Sequence, residues 1–563
     1  MNVKELLARA IHEAAAGIEA LAGAELPAVM LEVPPQKEFG DFATNIAMQL
    51  ARPARQNPRA LAEAIAGRLN ARAALDKHDP AALPWLKEAK VAGPGFINFY
   101  LTPDWLYALL ADIAAAGAAW GRSDSGRGEK VQVEFVSANP TGPLHVGHGR
   151  GAAVGSALAN LLKVAGYDVS TEFYINDAGN QIDCLAASVD ARYRELLGQQ
   201  VAFPEDGYRG RDIIDTARRI ADQAGPRYLL MDPAERLAVF KELAREEKLA
   251  LLREDLEAFG VTFDVWFSER TLHAAGAIEA TCRQLKASGH MYEQDGALWL
   301  KSTAYGDDKD RVVIRDNGVP TYLAADIAYH RDKFARGFDR VINIWGADHH
   351  GYISRVKAAV AALGYDPEHL EVLILQMVNL YQNGELVKMS KRTGQGVTLS
   401  ELMEEVGRDA ARFFFIMRST DSQLDFDLDL AKSRTNENPV FYIQYAHARI
   451  ASIFRQAEEA GLTVPAPGEA PLAALTEEAE ADLIKKLGEY PDEVAAAARE
   501  RAPHHIARYA HEVAALFHSF YNQCRVIGAQ PDVQAARLTL AAAVRDTLRS
   551  ALAILGVAAP DKM

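Results

Sequence analysis

The chain has 563 residues, 49% of them hydrophobic and 24% charged, the balance of a soluble globular protein of several domains. Its 61 Lys and Arg stand against 76 Asp and Glu, a net charge of −15. Taken alone, that argues against a general nucleic-acid coat and leaves room for a local basic face. The three cysteines, Cys184, Cys282 and Cys524, lie far apart with no C-x-x-C. This excludes a zinc ribbon and a disulfide framework, and predicts a reducing, cytoplasmic setting. The amphipathic, acid-bearing N-terminus and the lack of any run of ~18 apolar residues predict neither a signal peptide nor a membrane span.

Residues 1–115 read as a small α+β domain. Val3, Leu6, Leu7 and Ile11 give a helix its apolar stripe. Pro34, Pro35 and Gly40 mark a loop, with Asp41 as N-cap of a helix to Ala51. A third helix spans Pro58–Arg72, and the alternation Val91, Gly93, Gly95, Phe96, Asn98, Tyr100 predicts strands. This unit has no evident catalytic cluster. The polar linker Gly121–Lys130 closes it.

Residues 125–420 form a second unit. Val131, Val133 and Phe135 alternate as a buried strand, and Ser137 to Pro143 is turn-rich. H-V-G-H (His145–His148) then opens a helix through the small residues Gly149, Gly151, Ala152, Ala153 and Gly155. A loop feeding a helix N-terminus offers backbone N–H groups and the positive end of a dipole, a natural phosphate site. Two histidines at this spacing also suit a metal, although no Cys or carboxylate ligand stands beside them at metal-site spacing.

Tyr167 to Ile175 alternates as a second strand, so the βαβ rhythm predicts a doubly wound parallel sheet of Rossmann type. Residues 185–290 read as a charged helical insertion, and the sheet is expected to resume at Ala297–Lys301 and Arg311–Arg315. In T-Y-L-A-A-D, Tyr322 and Asp326 stand four apart on one helical face. A carboxylate with a phenol beside it can hold a cationic, fork-shaped group, although an exposed polar pair has the same spacing. Val341–Trp345 is an apolar strand capped by G-A-D-H-H-G (Gly346–Gly351), which places Asp348 where ribose hydroxyls bind or, alternatively, among metal ligands. Gln376 and Met377 would fall near an adenine. The Gly-rich loop V-K-M-S-K-R-T (Val387–Thr393) carries Lys388 and Lys391, mobile cations suited to a triphosphate being cleaved.

Residues 435–563 read as all helical. Tyr442, Tyr445 and Arg449 share one face, able to stack on unpaired bases or equally to pack as core. Arg499, Arg501, Arg508 and Arg525 offer a local basic face or an ordinary solvated one.

H-x-G-H followed by K-M-S-K, in this order and separation, resembles the paired signatures of class I aminoacyl-tRNA synthetases. The block E-F-V-S-A-N-P-T-G-P-L-H-V-G-H is similar to the arginyl-tRNA synthetase version. So are F-G-D-F-A-T-N and G-P-G-F-I-N-F near the N-terminus, N-P-V-F-Y-I-Q-Y-A-H-A-R, and the ending L-G-V-A-A-P-D-K-M.

That resemblance implies an α/β class I catalytic domain, an N-terminal α+β domain reaching tRNA and an all-α anticodon-binding domain. It implies that His145, His148, Lys388 and Lys391 are catalytic, and that Pro143, Gly147, Gly149, Gly346, Asp348, His349, His350, Met377 and Ser390 hold ATP. Glu134, Ser137, Asn139, Tyr322 and Asp326 would hold L-arginine, and Tyr442, Tyr445 and Arg449 would face tRNA(Arg). It further implies Mg²⁺ with ATP, no bound zinc, a monomer, and activation that requires tRNA. No membrane partner is expected without a long apolar run. No editing domain is expected, since an uncharged rival would leave a buried carboxylate unpaired and lysine lacks the planar fork. Many arginyl enzymes lack the second lysine of the loop. Here K-M-S-K is intact, with Arg392 following where the class has Ser, so Lys130 need not act as a substitute.

Overall fold

The computed structural model describes residues 3–387 and 396–563. It divides into two compact units. One comprises 1–120, 453–489 and 516–546; the other comprises 121–452, 490–515 and 547–563.

In the first unit a three-stranded antiparallel sheet, Phe42–Thr44, Phe96–Leu101 and Leu86–Ala92 in that order, carries helices Val3–Ala16, Ile46–Ala54 and Pro58–Ala73. Asp41 is not the expected N-cap. The chain first runs as the short strand Phe42–Thr44, and Asn45 precedes the helix. Asp41 instead accepts the Leu101 N–H at 2.8 Å and pairs with Lys485 at 2.5 Å. The helix Asp104–Ala116 packs beside Glu478–Gly488, where Tyr107 donates to the Leu475 carbonyl and the Trp120 indole to that of Leu487.

The second unit is built on five parallel strands: β1 (Lys130–Glu134), β2 (Asp168–Ile175), β3 (Val265–Ser268), β4 (Arg340–Gly346) and β5 (Leu370–Leu375). Their order is β5-β4-β1-β2-β3. The winding direction reverses between β1 and β4, and ligands of such sheets bind outside the carboxyl ends at that point. Helix α1 (Val146–Val164) crosses the sheet on a buried face of Ala152, Ala153, Ala157, Leu158, Leu161 and Leu162. Gly155 makes this crossing possible, since a Cβ there would stand 2.2 Å from the Phe135 ring.

Two expectations fail. The stretch 185–290 is not all insertion. Helices Asn180–Leu196, Arg211–Ala224 and Pro233–Ala258 share a core of Leu185, Val189, Tyr193, Ile213 and Phe240, but Val265–Ser268 is a strand of the main sheet, paired with β2. Four residues are too few for a periodic signal; pairing with β2 holds them, with Trp266 stacked on its register neighbour Phe173 (4.4 Å between ring centres). Nor does the main sheet resume at Ala297. Met291–Gln294, Ala297–Leu300 and Arg311–Ile314 form a separate antiparallel sheet. Its hairpin turns at Asp295-Gly296 with φ of 51° and 79°, the geometry that favours an Asp-Gly turn.

From Pro439 onward the described elements are helical. No helix of the described residues is long and apolar enough to cross a membrane.

Candidate active site

The site lies where β1 and β4 end. β1 runs out at Glu134, and the backbone then turns through Val136 and Ser137 at φ 67° and 41°. Two consecutive non-glycine residues in the left-handed region are costly, and such strain persists where the surroundings over-determine it. Here the Ser137 hydroxyl donates to Glu134 Oε1 (2.8 Å) and accepts the Tyr174 N–H (3.1 Å). The other oxygen of Glu134 accepts from buried Lys333 at 2.5 Å. Asn139, two residues beyond Ser137, is half-buried.

The two histidines close the N-terminus of α1. His145 is its N-cap, and its Nδ1 accepts the Gly147 N–H at 3.1 Å. The Nδ1 of His148 accepts the His145 N–H at 3.3 Å. The rings stack at 3.7 Å between centres. Since both Nδ1 atoms accept, each neutral ring must carry its proton on Nε2.

Burial lowers the pKa of His145, and burial with the neighbouring His145 lowers that of His148 to about 3. Both are therefore neutral N–H donors at pH 7. The first amides of the helix are thus not free, as a bare phosphate loop would have them. The imidazoles take the N–H groups of His145 and Gly147, and the Val397 carbonyl takes that of Val146, so the positive end of the helix dipole acts through the rings and their Nε2–H groups. Gly147 keeps His145 against the backbone, since a Cβ would stand 3.0 Å from its ring.

Gly149, expected to meet ATP, faces protein instead. It is buried, a Cβ there would stand 2.8 Å from Leu399, and its N–H is spent on the His145 carbonyl. Its smallness serves helix packing. Pro143 is exposed at the loop mouth.

At the end of β4, Gly346, Asp348, His349 and His350 are exposed on the turn Ala347–Tyr352. A Cβ at Gly346 would stand 2.6 Å from Asp348 Oδ1. Met377, 70% exposed, follows β5. Arg150, buried in α1, fixes this edge by donating to the carbonyls of Gln376 (2.7 Å), Ser419 (2.9 Å) and Ser422 (3.0 Å). Its signal in the sequence was a charged residue set among the small residues Gly149, Gly151, Ala152 and Ala153. Lys388, Ser390 and Lys391 lie outside the described residues.

Helix α2 (Tyr322–Ala335) brings up the acidic part of the site. Tyr322 and Asp326, expected to hold a cationic group jointly, do not share a hydrogen bond of their own. Tyr322 is 67% exposed at the first turn, and the phenol bonded to Asp326 Oδ2, at 2.5 Å, is that of Tyr352. Spacing along a helix places two residues on one face without making their side chains meet. Tyr208, from the loop after helix Asn180–Leu196, lies near both Thr141 and Tyr322.

A second carboxylate, Glu269, accepts from the Tyr174 hydroxyl at 2.7 Å. Burial, reinforced by Glu134 and Glu269 against the Tyr352 hydroxyl and Lys333, raises Asp326 to about 7. Burial also holds both phenols, Tyr174 and Tyr352, well above their usual range, so they remain donors. Sequence reasoning missed Tyr352, Glu269, Tyr174 and Lys333, which only the tertiary fold gathers.

In the helical segment, Arg449 donates to the Tyr445 hydroxyl (2.8 Å) with its guanidinium 4.6 Å from that ring's centre. Tyr442 leans on His511 at 5.2 Å. All three expected residues are half-exposed. Among the described residues no group of three or more His, Cys, Asp or Glu is placed to hold a metal ion.

Comparison with known proteins places these features in a family. Residues 112–430 match the model of the class I tRNA synthetase (R) catalytic domain, 1–101 that of the arginyl-tRNA synthetase N-terminal domain, and 443–563 that of the DALR anticodon-binding domain. The arginine–tRNA ligase of Desulforudis audaxviator is 55% identical over 100% of this chain and 98% of its own. That of Heliobacterium modesticaldum is 54% identical over 100% of both. The arginyl-tRNA synthetase structure of Thermus thermophilus superposes with a TM-score of 0.73 at 26% identity, covering 99% of this chain and 100% of that one. The chain belongs to the arginyl-tRNA synthetase family, with a class I catalytic domain between the family's N-terminal domain and a helical DALR domain.

Proposed function

We propose that the chain is an arginine–tRNA ligase: it activates L-arginine with ATP and transfers it to the terminal ribose of tRNA(Arg). The observation that carries this reading is the placing, beyond the ends of β1 and β4, of a stacked histidine pair at a helix N-terminus and of an acidic pocket of Glu134, Glu269 and Asp326. Arginine brings two cationic groups, and the pocket offers carboxylates to meet them. Glu134, Ser137 and Asn139 take the amino-acid end, and Asp326 and Glu269 take the guanidinium, with Tyr322 and Tyr208 at the mouth. Asp348, His349, His350, Gly346 and Met377 form the exposed edge that receives the adenosine.

In the first step an arginine carboxylate oxygen attacks the α-phosphorus of ATP. An O–P bond forms, the α–β bridging P–O bond breaks, and pyrophosphate leaves with the electron pair. The Nε2–H groups of His145 and His148 donate to the oxygens that gain charge. Their motif gives Lys388 and Lys391 the pyrophosphate. Mg²⁺ enters with the triphosphate, since it favours substrate phosphates and water over all-protein cages. In the second step the 2′-hydroxyl of the terminal ribose attacks the carbonyl carbon of the adenylate, and AMP leaves. Positioning and electrostatics carry the rate, with no covalent enzyme intermediate. Tyr442, Tyr445 and Arg449 offer the anticodon loop stacking surfaces and a cation. Three unpaired cysteine thiols suit a cytoplasmic enzyme.

Charging of total tRNA with each of the twenty amino acids tests the reading. Only arginine should be attached, and attachment of another amino acid would overturn it. The same assay carries a pH signature. A guanidinium binds the carboxylate form of Asp326 and pulls its pKa below about 7. Affinity is therefore complete above pH 7 and lost as pH falls through it, the arginine KM rising toward about tenfold per unit below.

A further inference from the structure

We propose that Lys333 is a positioning residue for arginine: from beneath the site it fixes the Glu134 carboxylate and, through a buried chain of hydrogen bonds, the helix turn that carries Asp326. This rests on the arginine-activating reading of the site.

Lys333 is fully buried on α2, seven residues beyond Asp326. Its ammonium donates to Glu134 Oε2 (2.5 Å) and Asn343 Oδ1 (2.9 Å) and lies 4.4 Å from the centre of the Tyr329 ring. The Asn343 amide then donates to His330 Nε2 at 2.9 Å, and His330 Nδ1–H donates to the Asp326 carbonyl at 2.8 Å. Burial, with Lys333 close by, lowers His330 to about 3, so it serves this chain as a neutral ring. Glu134 and Asn343 are register neighbours across β1 and β4. The chain therefore ties the two strand ends of the site to α2, from Glu134 through Lys333, Asn343 and His330 to Asp326.

A buried ion pair is weak evidence for stability, because desolvation offsets most of the attraction and apolar side chains could fill the same space. What apolar residues could not supply is a charged carboxylate held at both oxygens on the rim of the site. Ser137 takes one oxygen of Glu134 and Lys333 the other. Lys333 also sets the charge balance. The groups acting on Asp326 are the Tyr352 hydroxyl, Glu134, Glu269, Lys333 and the Tyr174 phenol, with His330 on its carbonyl. Lys333 is the one cation among them. Without it Asp326 would hold more firmly a proton that arginine must displace.

The test compares wild type, Lys333→Met and the double variant Glu134→Gln/Lys333→Met, which removes both buried charges and so protects the fold. Arginine KM and ATP KM are followed from pH 6 to 9, with thermal unfolding as a control on folding. Lys333→Met should raise the arginine KM by about 10- to 100-fold, the loss of one charge-assisted contact, and move the midpoint of its pH dependence upward, with ATP KM unchanged. The double variant should keep the raised arginine KM, because Glu134 no longer offers a fixed charge. A folded Lys333→Met with the wild-type arginine KM and pH midpoint overturns the proposal. If that variant does not fold, a wild-type arginine KM in the double variant overturns it. Failure of the wild type itself to activate arginine overturns the functional reading instead.

Discussion

Asp326→Asn raises the arginine KM by about 10²- to 10³-fold and leaves the ATP KM near wild type. The expectation follows from what surrounds the carboxylate. It is held on one oxygen by Tyr352, raised by burial to about 7, and faced by Glu134 and Glu269. Asparagine keeps the shape and the Tyr352 contact but presents an N–H₂ to a guanidinium that can only donate. It replaces a charge-assisted pair with a donor facing a donor, a change of about 3–4 kcal/mol at about 1.4 kcal/mol per tenfold. The variant should also lose the acid limb of the arginine KM profile, since the group that titrates is gone. Initial rates of ATP–pyrophosphate exchange at varied arginine and pH check both effects. An arginine KM unchanged by the substitution would remove Asp326 from guanidinium recognition.

His148→Ala should lower kcat for activation by about 10²- to 10³-fold, the cost of one donor aimed at developing charge, with the arginine KM within a few-fold of wild type. The loss is twofold in origin. One Nε2–H disappears, and the His145 N–H loses its acceptor, so the remaining ring is no longer stacked at 3.7 Å in a fixed orientation. Because both rings are neutral before ATP arrives, kcat should not fall as pH rises from 7 to 9. A loss over that range would mean that an imidazolium is required and that the tautomers derived from the backbone hydrogen bonds are not the working ones. Pre-steady-state formation of the adenylate in the presence of tRNA separates this step from product release.

The parts of the site that sequence made visible are those written within one loop. H-V-G-H, Asp348 and Asp326 each stand where a strand ends or a helix begins, and a βαβ rhythm brings strand ends together. What stayed hidden depends on register and on elements far apart in the chain. Lys333 reaches Glu134 across 199 residues, and Tyr352 reaches Asp326 across 26. Neither spacing has a periodic signature. Gly149 shows a different limit, since a small residue beside a phosphate motif looks the same whether it makes room for a ligand or for Leu399. The strand Val265–Ser268 was hidden by its length and by charged helices on its N-terminal side. The Asp295-Gly296 hairpin was legible in principle as an Asp-Gly between the short segment Met291–Gln294 and the apolar run Ala297–Leu300, and reading it would have moved Ala297–Leu300 out of the main sheet.

The central claim is that Asp326 and Glu269 recognise the guanidinium by its charge, while Glu134 meets the amino-acid end. Citrulline has nearly the shape of arginine with a neutral urea in place of the guanidinium, so it isolates that term. The direct measurement is kcat/KM for tRNA-dependent activation of arginine and of citrulline on the same enzyme at pH 8, where Asp326 is ionised. A site built to pair a cation leaves buried polar groups unmatched when the cation is missing, which predicts a preference for arginine of about 10⁴-fold or more. A preference within about tenfold would show that shape alone selects the substrate and would contradict the account.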